Sequence, residues 1–210
     1  MMRGKTIVAR GVLSATLACV VALCLAVGLS ACGGAGAQEA DAVLNAFDEQ
    51  VATMPKMGDE EIMELVGSRY WGILEESDVE PTKLCSALFS QLKCSDAQVS
   101  FDGSGATVTV TATNVDLEKA IAKLKKRCKG ELTSTGLIGL LTSEGQKSIA
   151  QTLAPAALDI LSDESVPTKT CKAKIRMMRD ENGGWVFVDK GDAINCLFGK
   201  VDWEKLLTSE

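Results

Sequence analysis

The feature that most constrains this 210-residue chain is an uncharged, largely apolar run near its start. Arg3, Lys5 and Arg10 precede the run, and no charged residue occurs between positions 11 and 38. A basic segment followed by an apolar stretch is typical of a secretory signal. The run is also long enough to cross a bilayer, so an uncleaved anchor is the alternative. In both cases the basic flank predicts that the rest of the chain folds outside the cytoplasmic membrane.

The tetrapeptide Leu29-Ser30-Ala31-Cys32, which ends this run, favours the cleaved form. It resembles the lipobox of bacterial lipoproteins at all four positions. The resemblance implies that a diacylglyceryl group is attached to Cys32 and that the chain is cut before that residue. Residues 1–31 are then a lipoprotein signal peptide, and acylated Cys32 binds the lipid bilayer at the outer face of the cytoplasmic membrane. Two acyl chains anchor a protein stably, whereas one chain is marginal.

Two segments are predicted after the cleavage site. Residues 32–40 comprise the lipidated cysteine and a short Gly/Ala-rich tether, and residues 41–210 form a single extracytoplasmic domain because no second linker or repeat follows. Loss of residues 1–31 changes the formal net charge from −6 to −9, since that segment carries three basic and no acidic side chains. An acidic surface repels phosphate backbones, so we expect no nucleic-acid partner.

Hydrophobic periodicity in residues 41–210 predicts an alternation of helices and hairpins. A helical period predicts helices that begin near Asp41, Asp59 and Thr82 and helices over residues 116–128 and 143–161. Residues 192–198 are predicted to form a short helix or turn, and a last short segment covers residues 203–207. Alternation with a period of two, around glycine-rich turns, predicts β-hairpins over residues 97–113 and 168–188. This order predicts an α+β fold, with helices packed on one face of an antiparallel sheet.

The final segment, Gly183-Gly184-Trp185 through Gly199, is the most specific part of this pattern. Together with the leading helices and the paired strands, it resembles the nuclear transport factor 2-like lipoproteins of Gram-positive bacteria. In this resemblance Gly184-Trp185 opens the last strand and Asp189 ends it. The resemblance implies a curved antiparallel sheet that helices wrap into a cone, and in many members the cone holds a small-molecule pocket.

The chain contains no histidine, which restricts the chemistry that such a cone can support. Serine triads, Cys–His pairs and His-ligated metal sites are excluded. The sequence contains neither the Cys-x-x-Cys spacing of a thiolate metal site nor the alternating aspartates of a calcium-binding loop, so we expect no metal and no cofactor. The favoured function is a non-catalytic module at the cell envelope that binds a small apolar ligand or an envelope protein. The alternatives are a carboxylate-based enzyme with its active site in the cone and a structural envelope protein that forms a homodimer through its sheet.

Five cysteines follow the lipobox: Cys85, Cys94, Cys128, Cys171 and Cys196. Disulfides are stable outside the cytoplasm, so these thiols are candidates for pairing. Positions at the ends of predicted elements favour Cys85–Cys196 or Cys94–Cys128. Cys171 lies in mid-strand and is the expected free thiol. The alternative is that all five are small buried apolar residues.

Four large side chains are candidates for lining a pocket, namely Tyr70, Trp71, Met177 and Trp185. Such residues on amphipathic elements either line a ligand cavity or pack in the core. The sequence leaves both alternatives open.

Overall fold

The computed structural model describes residues 35–128 and 143–202, and these residues form a mixed α+β fold, as predicted. The chain divides into two units, Met1–Gln38 and Glu39–Glu210, and the first contributes only residues 35–38 to the described part. The helices are α1 (Ala35–Thr53), α2 (Asp59–Val66), α3 (Ser68–Glu75), α4 (Pro81–Leu88), α5 (Leu117–Arg127), α6 (Ser143–Leu161) and α7 (Lys190–Leu197). The strands are β1 (Lys93–Asp102), β2 (Gly105–Val115), β3 (Thr168–Arg179) and β4 (Trp185–Phe187), and a 3₁₀ helix (Met54–Lys56) follows α1.

The four strands form one open antiparallel sheet in the order β1-β2-β3-β4. β1 and β2 are the first predicted hairpin, and the pair Asp102 and Gly105 closes it. Gly103 in this turn has φ of 65°, a left-handed conformation that glycine adopts without a steric penalty. β2 then pairs with β3 over its whole length, and β4 pairs with the last three residues of β3.

The alternation with a period of two separates the sheet into a buried and an exposed face. The side chains of the two central strands that alternate onto the buried face are Ala106, Val108, Val110, Ala112, Ala173, Ile175 and Met177, and Asn114 and Val115 at the end of β2 are buried as well. They form one core with apolar residues of the helices, among them Phe47 and Leu197. The opposite face carries the threonines of β2 and, on β3, exposed Lys172, Lys174 and Arg176. Within residues 35–128 and 143–202, the helices that share this core therefore pack on one face of the sheet, which is the usual arrangement of an antiparallel sheet with one solvated side.

Local capping contacts fix the starts of three helices. Asp116 Oδ1 accepts a hydrogen bond from the Lys119 amide at 3.2 Å, and Asp189 Oδ1 accepts one from the Asp192 amide at 2.8 Å. These carboxylates satisfy amides that lack a partner inside the helix. At the third helix, α2, the Gly58 amide donates to Glu61 Oε2 at 3.2 Å. Aspartate is a common N-cap residue, but Asp59 is the first residue of α2 and the N-cap is Gly58.

Two helices differ more strongly from the sequence expectations. α1 begins at Ala35, six residues before Asp41, so residues 35–40 of the predicted tether are helical. These residues are rich in alanine, a strong helix former, and they lack the apolar stripe that marks the rest of the helix. α3 was not predicted; it is eight residues long and contains Gly72, which weakens its helical pattern. The predicted segment at 203–207 lies outside the described residues.

Candidate functional site

A groove of about 380 Å³ lies at the end of the sheet that carries both hairpin turns. Gly105 pairs with Met178, and this register brings the β1–β2 turn and the β3–β4 turn to the same end. The residues that line the groove, called the turn-end groove below, are Glu39, Phe101, Gly103, Ser104, Met178, Arg179 and Trp185. The volume lies in the range of sites for small ligands.

Two large apolar side chains of the turn-end groove are unusually exposed. Phe101 is 44% exposed and Met178 is 46% exposed, whereas most large apolar side chains of the two hairpins are buried. The Phe101 ring lies 6.2 Å from the Trp185 ring, measured between centroids, and is tilted by 55° to it. The groove therefore offers an aromatic and thioether surface that an apolar molecule would cover.

Trp185 combines burial with an unsatisfied polar group. Trp185 is the first residue of β4 and is only 7% exposed. Its indole Nε1–H is buried and has no hydrogen-bond partner among the described residues. Leaving a buried donor without a partner costs about 1–3 kcal/mol, and native structures rarely do so without a reason. The indole N–H is therefore a hydrogen-bond donor that no described residue satisfies.

Gln50 of α1 holds the Trp185 backbone in place. Its Nε2 donates to the Trp185 carbonyl at 3.1 Å, and its Oε1 accepts from the Phe187 amide, also at 3.1 Å. One side-chain amide thus satisfies the two backbone groups that an adjacent strand would satisfy. The contact fixes β4, and hence the indole, against α1.

Arg179 forms the charged rim of the turn-end groove. Its guanidinium donates to Glu39 Oε1 and to the Gly183 carbonyl, each at 2.8 Å. Its Cζ lies 4.8 Å from the centroid of the Trp185 ring, which is a cation–π contact. The Arg179 and Glu39 side chains are 49% and 43% exposed, so a ligand in the groove has access to this ion pair.

The structure separates the four predicted pocket residues. Trp185 lines the groove, but Met177 has no exposed surface and packs in the core. Trp71 on α3 is partly buried and packs against the same core. The Tyr70 side chain lies outside the described part.

Sequence reasoning missed five lining side chains, namely Glu39, Phe101, Ser104, Met178 and Arg179. Two weak signals were available in the sequence. Phe101 stands directly before a glycine turn, and Arg179 and Trp185 flank the next turn. These residues lie at or next to the last paired positions of their hairpins, where a side chain has neighbours along the strand on one side only.

No disulfide bond links the cysteines of the described residues, and Cys85, Cys94, Cys171 and Cys196 are free thiols there. Cys171 Sγ lies 3.7 Å from the Cys196 carbonyl oxygen. The thiol beside Cys196 is therefore Cys171, the residue that the sequence analysis left unpaired. The pairings Cys85–Cys196 and Cys94–Cys128 stay predictions.

The thiols near the core are poorly suited to nucleophilic chemistry. Burial raises the pKa of the Cys85 and Cys94 thiols to about 11, and nearby Glu61 and Asp48 act in the same direction. Burial also raises the pKa of Cys196. The nucleophile is the thiolate, which these environments disfavour at neutral pH.

The turn-end groove has few side chains that could act as an acid, a base or a metal ligand. Among the described residues that line the groove, only Glu39 carries a carboxylate, and it is paired with Arg179. A carboxylate-based enzyme needs two such groups with different roles. The described residues also contain no cluster of three or more His, Cys, Asp or Glu side chains that could hold a metal ion.

Comparison of the chain with protein-family models, with curated proteins and with solved structures finds no match. Within the residues that the structure describes, no helix is both long and apolar enough to cross a membrane.

Proposed function

We propose that this chain is a lipid-anchored extracytoplasmic protein whose domain binds a small, largely apolar ligand in the turn-end groove. The observation that carries the proposal is the Trp185 side chain, whose buried indole N–H has no partner among the described residues and whose ring lies 6.2 Å from the ring of exposed Phe101 in the same groove. Together these groups match a ligand with an apolar body and one hydrogen-bond acceptor. A pocket with apolar walls and few polar groups is typical of a ligand site.

The anchoring part of the proposal is supported by the N-terminal sequence. A basic start, an uncharged apolar run and the lipobox-like Leu29–Cys32 occur in the order that a lipoprotein signal requires. The finer fold that we propose is the nuclear transport factor 2-like cone. Helices on one face of an antiparallel sheet, and Gly184-Trp185 at the start of β4, support this assignment.

Binding without catalysis agrees with the residues at the site. The chain has no histidine, and the groove has one carboxylate among its described lining residues. The homodimer alternative requires an exposed apolar sheet face. The exposed face of the central strands carries threonines and basic side chains instead, which favours a monomeric or transient module over a structural dimer.

The ligand part is tested by native mass spectrometry of the full chain purified from its own host. We expect a small molecule bound to the wild-type chain and a reduced occupancy in Trp185→Phe, which keeps the ring but removes the N–H donor. Trp71→Phe is the matched control and should retain the molecule. An empty wild-type chain, or equal occupancy in the two variants, contradicts the proposal.

The anchor is tested separately by metabolic labelling with a fatty acid. We expect the label on the wild-type chain and on Cys24→Ala, because residue 24 lies in the segment that is removed. Cys32→Ala should carry none. Label on the Cys32→Ala chain would overturn the anchor assignment.

A further inference from the structure

We infer that the ligand of the turn-end groove is an amphiphile with an anionic head, taken from the bilayer to which the chain is anchored, and that Glu39 occupies the position of this head while the groove is empty. The inference rests on the proposed function, since it requires the lipid anchor at Cys32. Beyond the proposed function, it specifies that the ligand head is anionic, that the ligand comes from the bilayer, and that Glu39 competes with the head for Arg179.

The polar side of the groove contains two different donors for acidic oxygens. The Arg179 guanidinium has five N–H donors, of which the hydrogen bonds to Gly183 and Glu39 use two. The Trp185 indole N–H adds a donor without a partner among the described residues. Arg179 Cζ lies 4.8 Å from the centroid of the Trp185 ring, so the guanidinium and the indole belong to one cluster of side chains. A carboxylate or phosphate on an apolar tail satisfies both groups at once, and a neutral acceptor would use the indole alone.

Glu39 already binds Arg179 in the manner expected of the ligand head. Its Oε1 lies 2.8 Å from Arg179 Nη2. Both side chains are about half exposed, and ion pairs in such places contribute only about 0.2–1 kcal/mol. An incoming anion therefore displaces the Glu39 carboxylate at little cost and takes over its donor.

The chain length between the anchor and the groove favours a bilayer source. Glu39 follows Cys32 by seven residues, and seven residues span at most roughly 25 Å even when fully extended. A residue of the groove rim is thus held within that distance of the acylated cysteine. An amphiphile in the same leaflet is available at high local concentration, as it is for any tethered pair of partners.

The experiment uses the full lipidated chain in phosphatidylcholine vesicles, with Trp71→Phe and Trp203→Phe so that Trp185 is the only tryptophan. Bromine quenches indole fluorescence on contact, so the probes are a dibrominated stearic acid and its neutral methyl ester. We expect the acid to quench Trp185 at about one tenth of the mole fraction that the ester requires, which corresponds to one charge-assisted hydrogen bond.

Two charge variants test the roles of the ion pair. In Arg179→Gln the acid should lose its advantage, so that acid and ester quench equally. In Glu39→Gln the acid should quench at about two- to fivefold lower mole fraction because its competitor is gone, whereas the ester should be unchanged. A Glu39→Gln chain with unaltered response to the acid overturns the competitor role.

The remaining outcomes separate this inference from the proposed function. If acid and ester quench Trp185 equally in the chain that retains Glu39 and Arg179, the inferred preference for an anionic head is wrong, and the groove remains a site for an apolar ligand. Equal affinity for a water-soluble bromohexanoate overturns the bilayer source. Quenching by neither lipid probe, with a molecule still found by native mass spectrometry, overturns the inference alone. An empty chain in that measurement as well removes the proposed function.

Discussion

The buried and the exposed face of the sheet differ most clearly at two neighbouring residues of β3. Met177 has no exposed surface and contacts the core, whereas Met178 is 46% exposed and lines the turn-end groove. Their chemistry is identical, and the pleat alone sends them to opposite faces. Whether a residue at the end of β3 lines the groove therefore depends on its position in the strand register and not on its residue type.

The largest expected effect comes from truncating the buried member of this pair. Met177→Ala should lower the free energy of unfolding by about 2–5 kcal/mol, because it removes apolar contacts and leaves a cavity. Met178→Ala should change it by less than about 0.5 kcal/mol and should weaken ligand binding instead. Urea denaturation of both variants measures the difference. Equal destabilisation would show that the two faces are not distinguished at this end of the sheet.

The next largest effect is expected at the edge of β4, where the Gln50 side chain hydrogen-bonds to the strand backbone. Gln50→Ala should lower the free energy of unfolding by about 1–3 kcal/mol, since the Trp185 carbonyl and the Phe187 amide lose their partner. Glu49→Ala is the matched control on an exposed position of the same helix and should have little effect. If both variants unfold at the same urea concentration, the backbone of β4 does not depend on Gln50.

The thiols of Cys85 and Cys94 make the stability of the folded state depend on pH. Burial raises the pKa of Cys85 and Cys94 from 9.0 to about 11, so both bind protons more tightly in the folded state. Their contribution to stability is complete below pH 9, the unfolded pKa, and is lost as the pH rises through about 11. Thermal unfolding between pH 8 and 11 should show this decline. Cys85→Ala and Cys94→Ala should each flatten it, and an unchanged slope would contradict the assignment.

Much of the fold was predictable because its elements have strong local periods. The alternation of alanine and valine with threonine on β2 predicted its buried face, and Ser143–Leu161 was predicted with the bounds that the structure has. Pro155 lies inside this helix, which continues through it to Leu161. Signals of this kind depend only on near neighbours in the sequence, which is why one chain suffices to recognise them.

The site was less predictable because its contacts join distant parts of the chain. Gln50 meets Trp185 across 135 residues, and Arg179 meets Glu39 across 140. No local pattern encodes such pairs. Met177 was a predicted pocket residue, but it lies on the inward face of β3 and packs in the core, whereas its neighbour Met178 lines the groove. Trp185 was predicted because a large aromatic side chain either lines a cavity or packs in the core.

The smallest expected effect lies on the exposed face, one residue from the core. Arg176 Nη2 lies 3.3 Å from Asp102 Oδ2, and the two side chains are 65% and 55% exposed. Arg176→Gln should change the free energy of unfolding by less than about 0.5 kcal/mol, because water and salt screen exposed ion pairs. The neighbouring Ile175→Val should cost about 0.5–1.5 kcal/mol although it removes only one buried methylene. Urea denaturation at low and high salt separates the two, since only the Arg176 effect should vanish with salt. A larger loss for Arg176→Gln than for Ile175→Val would mean that the exposed face contributes to stability as the buried face does.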